Sequence, residues 1–282
     1  MTRKCKSNFL RLLHNDLKYG TKSNWIKFAI AFLFTVTCCM FLYKSVAIKI
    51  VSQKVKELPG LFDYIVYVLG GMKEYIQAKD KTFDVPFIWA TFQLLVGFSV
   101  LTYPIRDLEG RGMAILVNSE NRRNWWISKC IWTVIQVLCI YAIIWAGIIV
   151  SFIVIGNYSF TLNQDICAEM IGISLNSTSG LILFAIVLPV ISSIMFALVQ
   201  MSLSLIIGPM FSLTLVFAYQ VISSYVMSTF LLGNYSMILR CDRFVKSGMN
   251  ANIGVIAELC ISAIFVIVGS IYFKKYDVLE KG

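Results

Sequence analysis

The side chains that most often carry chemistry are sparse in this chain and poorly placed for it. His14 is the single histidine and lies ahead of the first apolar block, so the clustered His and acidic ligands of a metalloprotease are missing. The eight cysteines (Cys5, Cys38, Cys39, Cys130, Cys139, Cys167, Cys241 and Cys260) form no Cys-x-x-Cys pair and mostly sit inside apolar runs, where they act as small hydrophobes. Serine-based nucleophilic chemistry needs a placed base, and no such pairing stands out. No Gly-x-x-x-x-Gly-Lys-Ser/Thr segment is present to cradle nucleotide phosphates. An enzyme with its own active site is therefore disfavoured. What remains is a set of polar side chains within apolar blocks: Gln93, Gln136, Gln200, Gln220, Ser192, Ser193, Thr214 and Glu258. Polar groups at such positions either line a pathway or join helices by hydrogen bonds. Glu258 is the one acid in the proposed spans and is expected near the outer end of its span, within reach of water.

The elements that must hold these groups are membrane helices. Of 282 residues 58% are apolar and only 14% charged, too little charge to cover the surface of a soluble fold. The apolar residues fall in blocks close to the roughly 20 residues that cross a bilayer core. The expected spans are 27–48, 87–105, 127–153, 181–206, 209–232 and 254–273, an all-α membrane protein of six transmembrane helices in a single domain. Residues 181–232 run almost unbroken, and Gly208-Pro209 is the natural division because proline lacks a donor and glycine permits a tight reversal. Pro189 is expected to kink the fourth span.

Ahead of the first span, residues 7–19 place Phe9, Leu10, Leu13 and Leu17 at helical spacing, with Arg11, Asp16 and Lys18 on other faces. This predicts an interfacial amphipathic helix within 1–26, followed by a turn and by Trp25 at headgroup level. The block begins too late and lacks the small-residue cleavage site of a signal peptide. Residues 49–85 form the largest outer segment, with an apolar stretch at 61–69 that suits a membrane-surface or gate-forming helix.

The net charge of +10 raises nucleic acid as a partner, but its distribution points to topology instead. Segments 1–27, 105–129 and 274–282 carry 15 Lys/Arg against six acids, and the rest of the chain ten against nine. Basic residues gather on the cytoplasmic side of membrane proteins, which puts both termini in the cytoplasm of a plasma-membrane protein. Three sequons, at Asn157, Asn176 and Asn234, fall in outer loops and are read as chance. Cys167 and Cys241 also lie in outer segments, and a disulfide between them is left open.

The segment between the second and third spans, Arg106 to Lys129, has an apolar core from Met113 to Val117 flanked by charges and by Trp125 and Trp126. It is too short to cross and too apolar for a free linker, so it lies on the inner surface or docks on a cytoplasmic partner. Here the chain resembles the six-span membrane subunits of type-2 ABC exporters. These have an acidic residue followed by x-x-Gly-Thr, an apolar helix, Pro-x-Ser-Arg, and the lysine of a Gly-Lys pair opening the third span. Asp107 takes the acidic position, with Glu109 beside it, and Gly110 the glycine. Leu116 falls in the apolar helix, Arg122 stands twelve residues after the glycine, and Lys129 seven further on. Arg111, Ser119, Asn121 and Ser128 depart from the family's threonine, proline, serine and glycine.

The resemblance implies that this segment is a coupling helix and residues 1–26 a connecting helix. It implies a separate cytoplasmic P-loop ATPase subunit that carries ATP and Mg, and a second copy or a homologous permease across the substrate path. It also implies a bacterial origin and an amphipathic or lipophilic cargo, such as an antimicrobial peptide, a drug or a lipid-linked molecule. The alternative is a non-transporting sensor or immunity protein that binds a peptide through residues 49–85.

Overall fold

A computed structural model describes residues 2–76, 82–112, 122–172, 181–245 and 247–275. The described residues are all-helical apart from turns and one isolated bridge between Cys241 and Met249. Five stretches are long and apolar enough to cross a membrane, so the fold fits a multi-pass membrane protein.

Helix α1 (Thr2–Asn15) runs into a wide π-type turn, Asp16–Gly20, before the chain reverses. Helix α2 (Trp25–Val51) is an unbroken apolar run, with Lys49 in its last turn where the negative end of the helix dipole favours a cation. The Lys49 ammonium also meets Glu169 at 3.0 Å. Trp25 opens this helix and is 65% exposed. Phe9 and Leu13 are half-buried and Leu17 packs on the core, so the apolar face of α1 is partly spent on the bundle.

Helix α3 (Leu61–Leu69) forms where the apolar stretch 61–69 stands, but it does not lie on a surface. Tyr64, Ile65, Val66, Val68 and Leu69 are all buried in the main core. Eight of the nine residues are aliphatic or aromatic, and the bundle covers them together with Asp63.

Helix α4 (Phe87–Val100) ends earlier than the sequence suggests. The chain breaks at Leu101-Thr102 and restarts as α5 (Tyr103–Asp107), with Pro104 in its first turn, where a missing N–H costs nothing. The turn Leu108–Gly112 follows, with a non-helical backbone at Gly110. Helix α6 (Arg122–Ile155) has 34 residues, about 50 Å at 1.5 Å per residue, so it extends beyond a hydrocarbon core of about 30 Å. Trp125 and Trp126 near its start are buried in the bundle. Both are 1% exposed and pack with Cys130, Leu198, Met201 and Leu205.

Helix α7 (Leu181–Ile207) continues through Pro189. It stops at Gly208, whose φ of +85° is strained for any side chain, and Pro209 opens α8 (Pro209–Tyr225). The expected division of 181–232 is thus found. The expected fifth span is not found at full length: α8 has 17 residues, and the chain beyond Tyr225 turns through two short 3₁₀ segments, Leu232–Ser236 and Ile238–Arg240. The polar Asn234 and Arg240 close this turn where a longer span would need apolar side chains. Helix α9 (Ala251–Lys275) completes the bundle against α7 and α6.

Candidate functional site

Two polar constellations stand out, one at each end of the bundle, with a third set of polar contacts between them. The first collects Lys129 of α6, Asp107 at the end of α5, and Asp16 in the turn after α1. The Lys129 ammonium pairs with Asp16 and stands 2.7 Å from Asp107 Oδ2. Asp16 also accepts hydrogen bonds from Tyr103 (2.9 Å) and Ser128 (2.6 Å), and the Trp125 indole N–H donates to Asp107 Oδ2 at 3.0 Å. The lysine lies over the rings of Tyr103 (4.6 Å) and Trp125 (5.1 Å), which adds cation–π attraction. Lys129 and Asp16 are buried, and Asp107 is at the rim with a 17% exposed side chain.

This arrangement ties three elements by one ammonium. Burying a charge is tolerable when it is paired and fully hydrogen-bonded, and each member here has several partners. Beside it, Asn24 Nδ2 donates to Ser99 O (2.9 Å) and to Gln136 Oε1 (3.0 Å), while Gln136 Nε2 donates to Thr21 Oγ1 (2.6 Å). Lys27 Nζ donates to Asn24 Oδ1 and to Phe98 O, both at 2.7 Å. The reversal between α1 and α2 is thereby fastened to α4 and α6.

Of the residues selected for contact with a partner, the fold brings together Asp107 and Lys129. Glu109 and Gly110 are exposed just beyond Asp107, and Arg122 is half-buried at the start of α6. Leu116 and the apolar stretch Met113–Val117 lie outside the described residues. Asp16 was not selected, yet it is central. Its signal was available, because it is the one acid among seven Lys/Arg in residues 1–27.

Between the ends, Gln93, Gln200 and Gln220 line one narrow cleft among α4, α7 and α8, walled by Val96, Phe196 and Leu213. Gln93 Oε1 accepts from Gln220 (3.2 Å) and Ser193 (3.3 Å), and Gln200 Nε2 donates to Gly97 O at 2.9 Å. Ser193 Oγ also meets the Tyr141 hydroxyl at 2.8 Å. Gln136 belongs to the first constellation and is separate from this cleft. Thr214 is on the outside of α8, bonded to its own helix at Met210 O.

Glu258 departs from its expected place. It is fully buried two turns into α9, with Ser192 of α7 donating to Oε1 at 2.5 Å, and does not reach water. The close packing of α9 on α7 covers it.

At the opposite end from Lys129, Arg240 is 1% exposed and uses its whole guanidinium. It donates to Ser223 O (2.7 Å), Ser224 O (2.5 Å), Met72 O (3.3 Å), Lys73 O (3.3 Å) and Asn234 Oδ1. Ser223 and Ser224 stand in the last turn of α8, so the cation caps carbonyls that have no intrahelical donor. Asn234 is itself buried, with Nδ2 bonded to Val226, Ser228 and Leu231 carbonyls, and cannot carry a glycan. Cys167 and Cys241 are free buried thiols, not a disulfide. Asp63 accepts from the backbone N–H of Gly60 (2.8 Å) and Asn163 (2.9 Å), and burial nevertheless pushes its carboxyl up to about 6.

No family model, curated relative or solved structure matches this chain. The chemistry must be read from the constellations themselves. Among the described residues no group of three or more His, Cys, Asp and Glu side chains could hold a metal ion.

Proposed function

We propose that this chain is the membrane permease subunit of a type-2 ABC exporter, which couples ATP hydrolysis on a separate P-loop ATPase to movement of an amphipathic or lipophilic molecule across the plasma membrane. The observation that carries the reading is the contact between Asp107 and Lys129. These are the acidic and basic positions that frame the family's coupling segment, and they come together although 22 residues apart. Asp16 joins them from the turn that follows the N-terminal helix, in the place of the connecting helix.

A push on the segment between Asp107 and Arg122 would then reach three elements at once, because one ammonium links α5, α6 and the turn after α1. The ATPase, with its ATP and Mg, would dock on that segment from the cytoplasm. Both termini would face the cytoplasm, and α8 would complete six spans. A second permease, identical or homologous, would face this one across the substrate path. The substrate path would run between the two permeases, since the cleft of Gln93, Gln200 and Gln220 is narrow and its amides are bonded within the bundle.

Affinity purification of the tagged full-length chain from its own membrane tests this. A stoichiometric P-loop ATPase that is lost on Arg122→Glu, with insertion unchanged, is the expected result. A chain that purifies without an ATPase, in detergents gentle enough to keep such complexes, would overturn it.

A further inference from the structure

Glu258 plays no part in the coupling reading, and its surroundings are unusual for an acid. It is 0% exposed, and Ser192 Oγ–H donates to Oε1 at 2.5 Å. The second oxygen, Oε2, is buried without a hydrogen-bond partner. Among the described residues, the elements packed on this part of α9 supply no cation to it. All of 181–207 contains no titratable residue. Helix α6 contributes Tyr141, whose hydroxyl is already engaged with Ser193 and Pro189 O. The turn Leu232–Ser236 contributes Tyr235. Arg240 is turned away, onto Ser223, Ser224 and Asn234. On α9 itself the nearest titratable side chain is Cys260, which is exposed.

An ionised carboxylate with one serine donor, no paired cation and no contact with bulk solvent is among the most unfavourable groups a membrane interior can hold. A neutral acid in the same place buries no charge and leaves one O–H donor unmet. We infer that Glu258 is a proton-binding site at the seam between α7 and α9, and that the bound proton keeps this seam closed. In the closed form the proton resides on Oε2 and Ser192 donates to Oε1. On release the proton passes to water and leaves a carboxylate of charge −1, which must be hydrated. Water can reach it only if α9 separates from Ser192. Proton occupancy and helix separation are therefore linked. This inference stands apart from the transport reading, since it concerns α7 and α9 and not the coupling segment.

The test is infrared spectroscopy of the full chain reconstituted in lipid vesicles, wild type against Glu258→Gln. At neutral pH the wild type should show the carbonyl stretch of a protonated carboxylic acid that the variant lacks. That band should vanish at strongly alkaline pH. Deuterium exchange of the α7 and α9 amides, corrected for the base-catalysed intrinsic rate, should then rise severalfold more in the wild type than in the variant. A neutral-pH difference spectrum without that band would overturn the proton site. Equal exchange in both proteins at alkaline pH would overturn its link to the seam. If Glu258→Gln does not fold, Ser192→Ala serves instead: loss of its donor must shift the frequency of the same band, and an unshifted spectrum would sink the proposal.

Discussion

Asp107 Oδ2 lies 2.7 Å from Lys129 Nζ and 3.0 Å from Trp125 Nε1, so the carboxylate at the end of α5 is held by the first two turns of α6. The segment between them begins and ends on one fixed contact. Whatever displaces that segment acts on the base of α6 and, through Asp16, on the turn after α1.

Replacing Lys129 by methionine should be severe. It leaves Asp16 and Asp107 facing each other without a cation, and breaking a buried pair typically costs about 3–5 kcal/mol. The melting temperature of the detergent-purified protein should drop by many degrees. Adding Asp16→Asn to Lys129→Met should recover part of the loss, since one buried charge is then removed. A double mutant that behaves as the plain sum of its parts would show that the two side chains do not interact.

Asp63 provides a pH signature. Burial raises its carboxyl from 3.8 to about 6 against the two backbone donors, so the folded chain binds this proton more tightly than the unfolded chain does. The favourable contribution is full below the unfolded value and is lost as pH rises from about 4 to about 6, an effect of at most about 3 kcal/mol. The stability difference between wild type and Asp63→Asn should therefore shift in favour of the variant over that window and level off above it. Thermal melts of both proteins across the window measure this. A difference that stays constant would mean the buried carboxyl does not titrate there.

Arg240 should tolerate neither loss of charge nor loss of shape. Arg240→Met leaves the Ser223 and Ser224 carbonyls and Asn234 Oδ1 without donors, at about 1–3 kcal/mol for each buried group left unmet. Arg240→Lys should rescue little, because an ammonium is a point charge and cannot fork to five acceptors. Equal stability of Arg240→Lys and wild type in a melting assay would show that charge alone suffices.

Gly269 of α9 lies against the Trp126 ring of α6. A Cβ there would stand 2.1 Å from the Trp126 ring, whose N–H donates to Val266 O at 2.9 Å. Gly269→Ala should push the two helices apart and cost about 1–3 kcal/mol, as overpacking usually does. Trp126→Phe in the same chain should return part of it by removing the clashing ring. Failure of the second change to help would place the strain elsewhere.

The break at Gly208-Pro209 was legible because both residues act locally, one through its φ and the other through a missing N–H. The long apolar helices were legible for the same reason, since their run length is a property of the sequence. The shortened ends of α4 and α8 were not. In α8 the apolar run continues past the last helical residue, and Arg240 takes up Ser223 O and Ser224 O there; in α4 Pro104 withholds the N–H that Val100 O would accept, and Asn24 takes up Ser99 O. The apolar stretch 61–69 gave a helix correctly but not its burial, because nothing within those residues states which neighbour will cover them.

Composition and the lengths of the apolar runs alone determined a helical chain fit for a membrane, because the bilayer imposes its thickness on every span independently. Spacing also matched Asp107 and Lys129 to one segment. Only the tertiary structure decided that Asp16 completes their cluster, that Gln136 belongs to the α1–α2 reversal while the other three glutamines share a cleft, and that Glu258 is sealed from water. Each of these depends on the rotation of a helix about its axis and on what packs against that face. Among helices that are apolar on nearly every side, hydrophobicity does not choose that rotation; close packing and a few polar contacts between distant residues do.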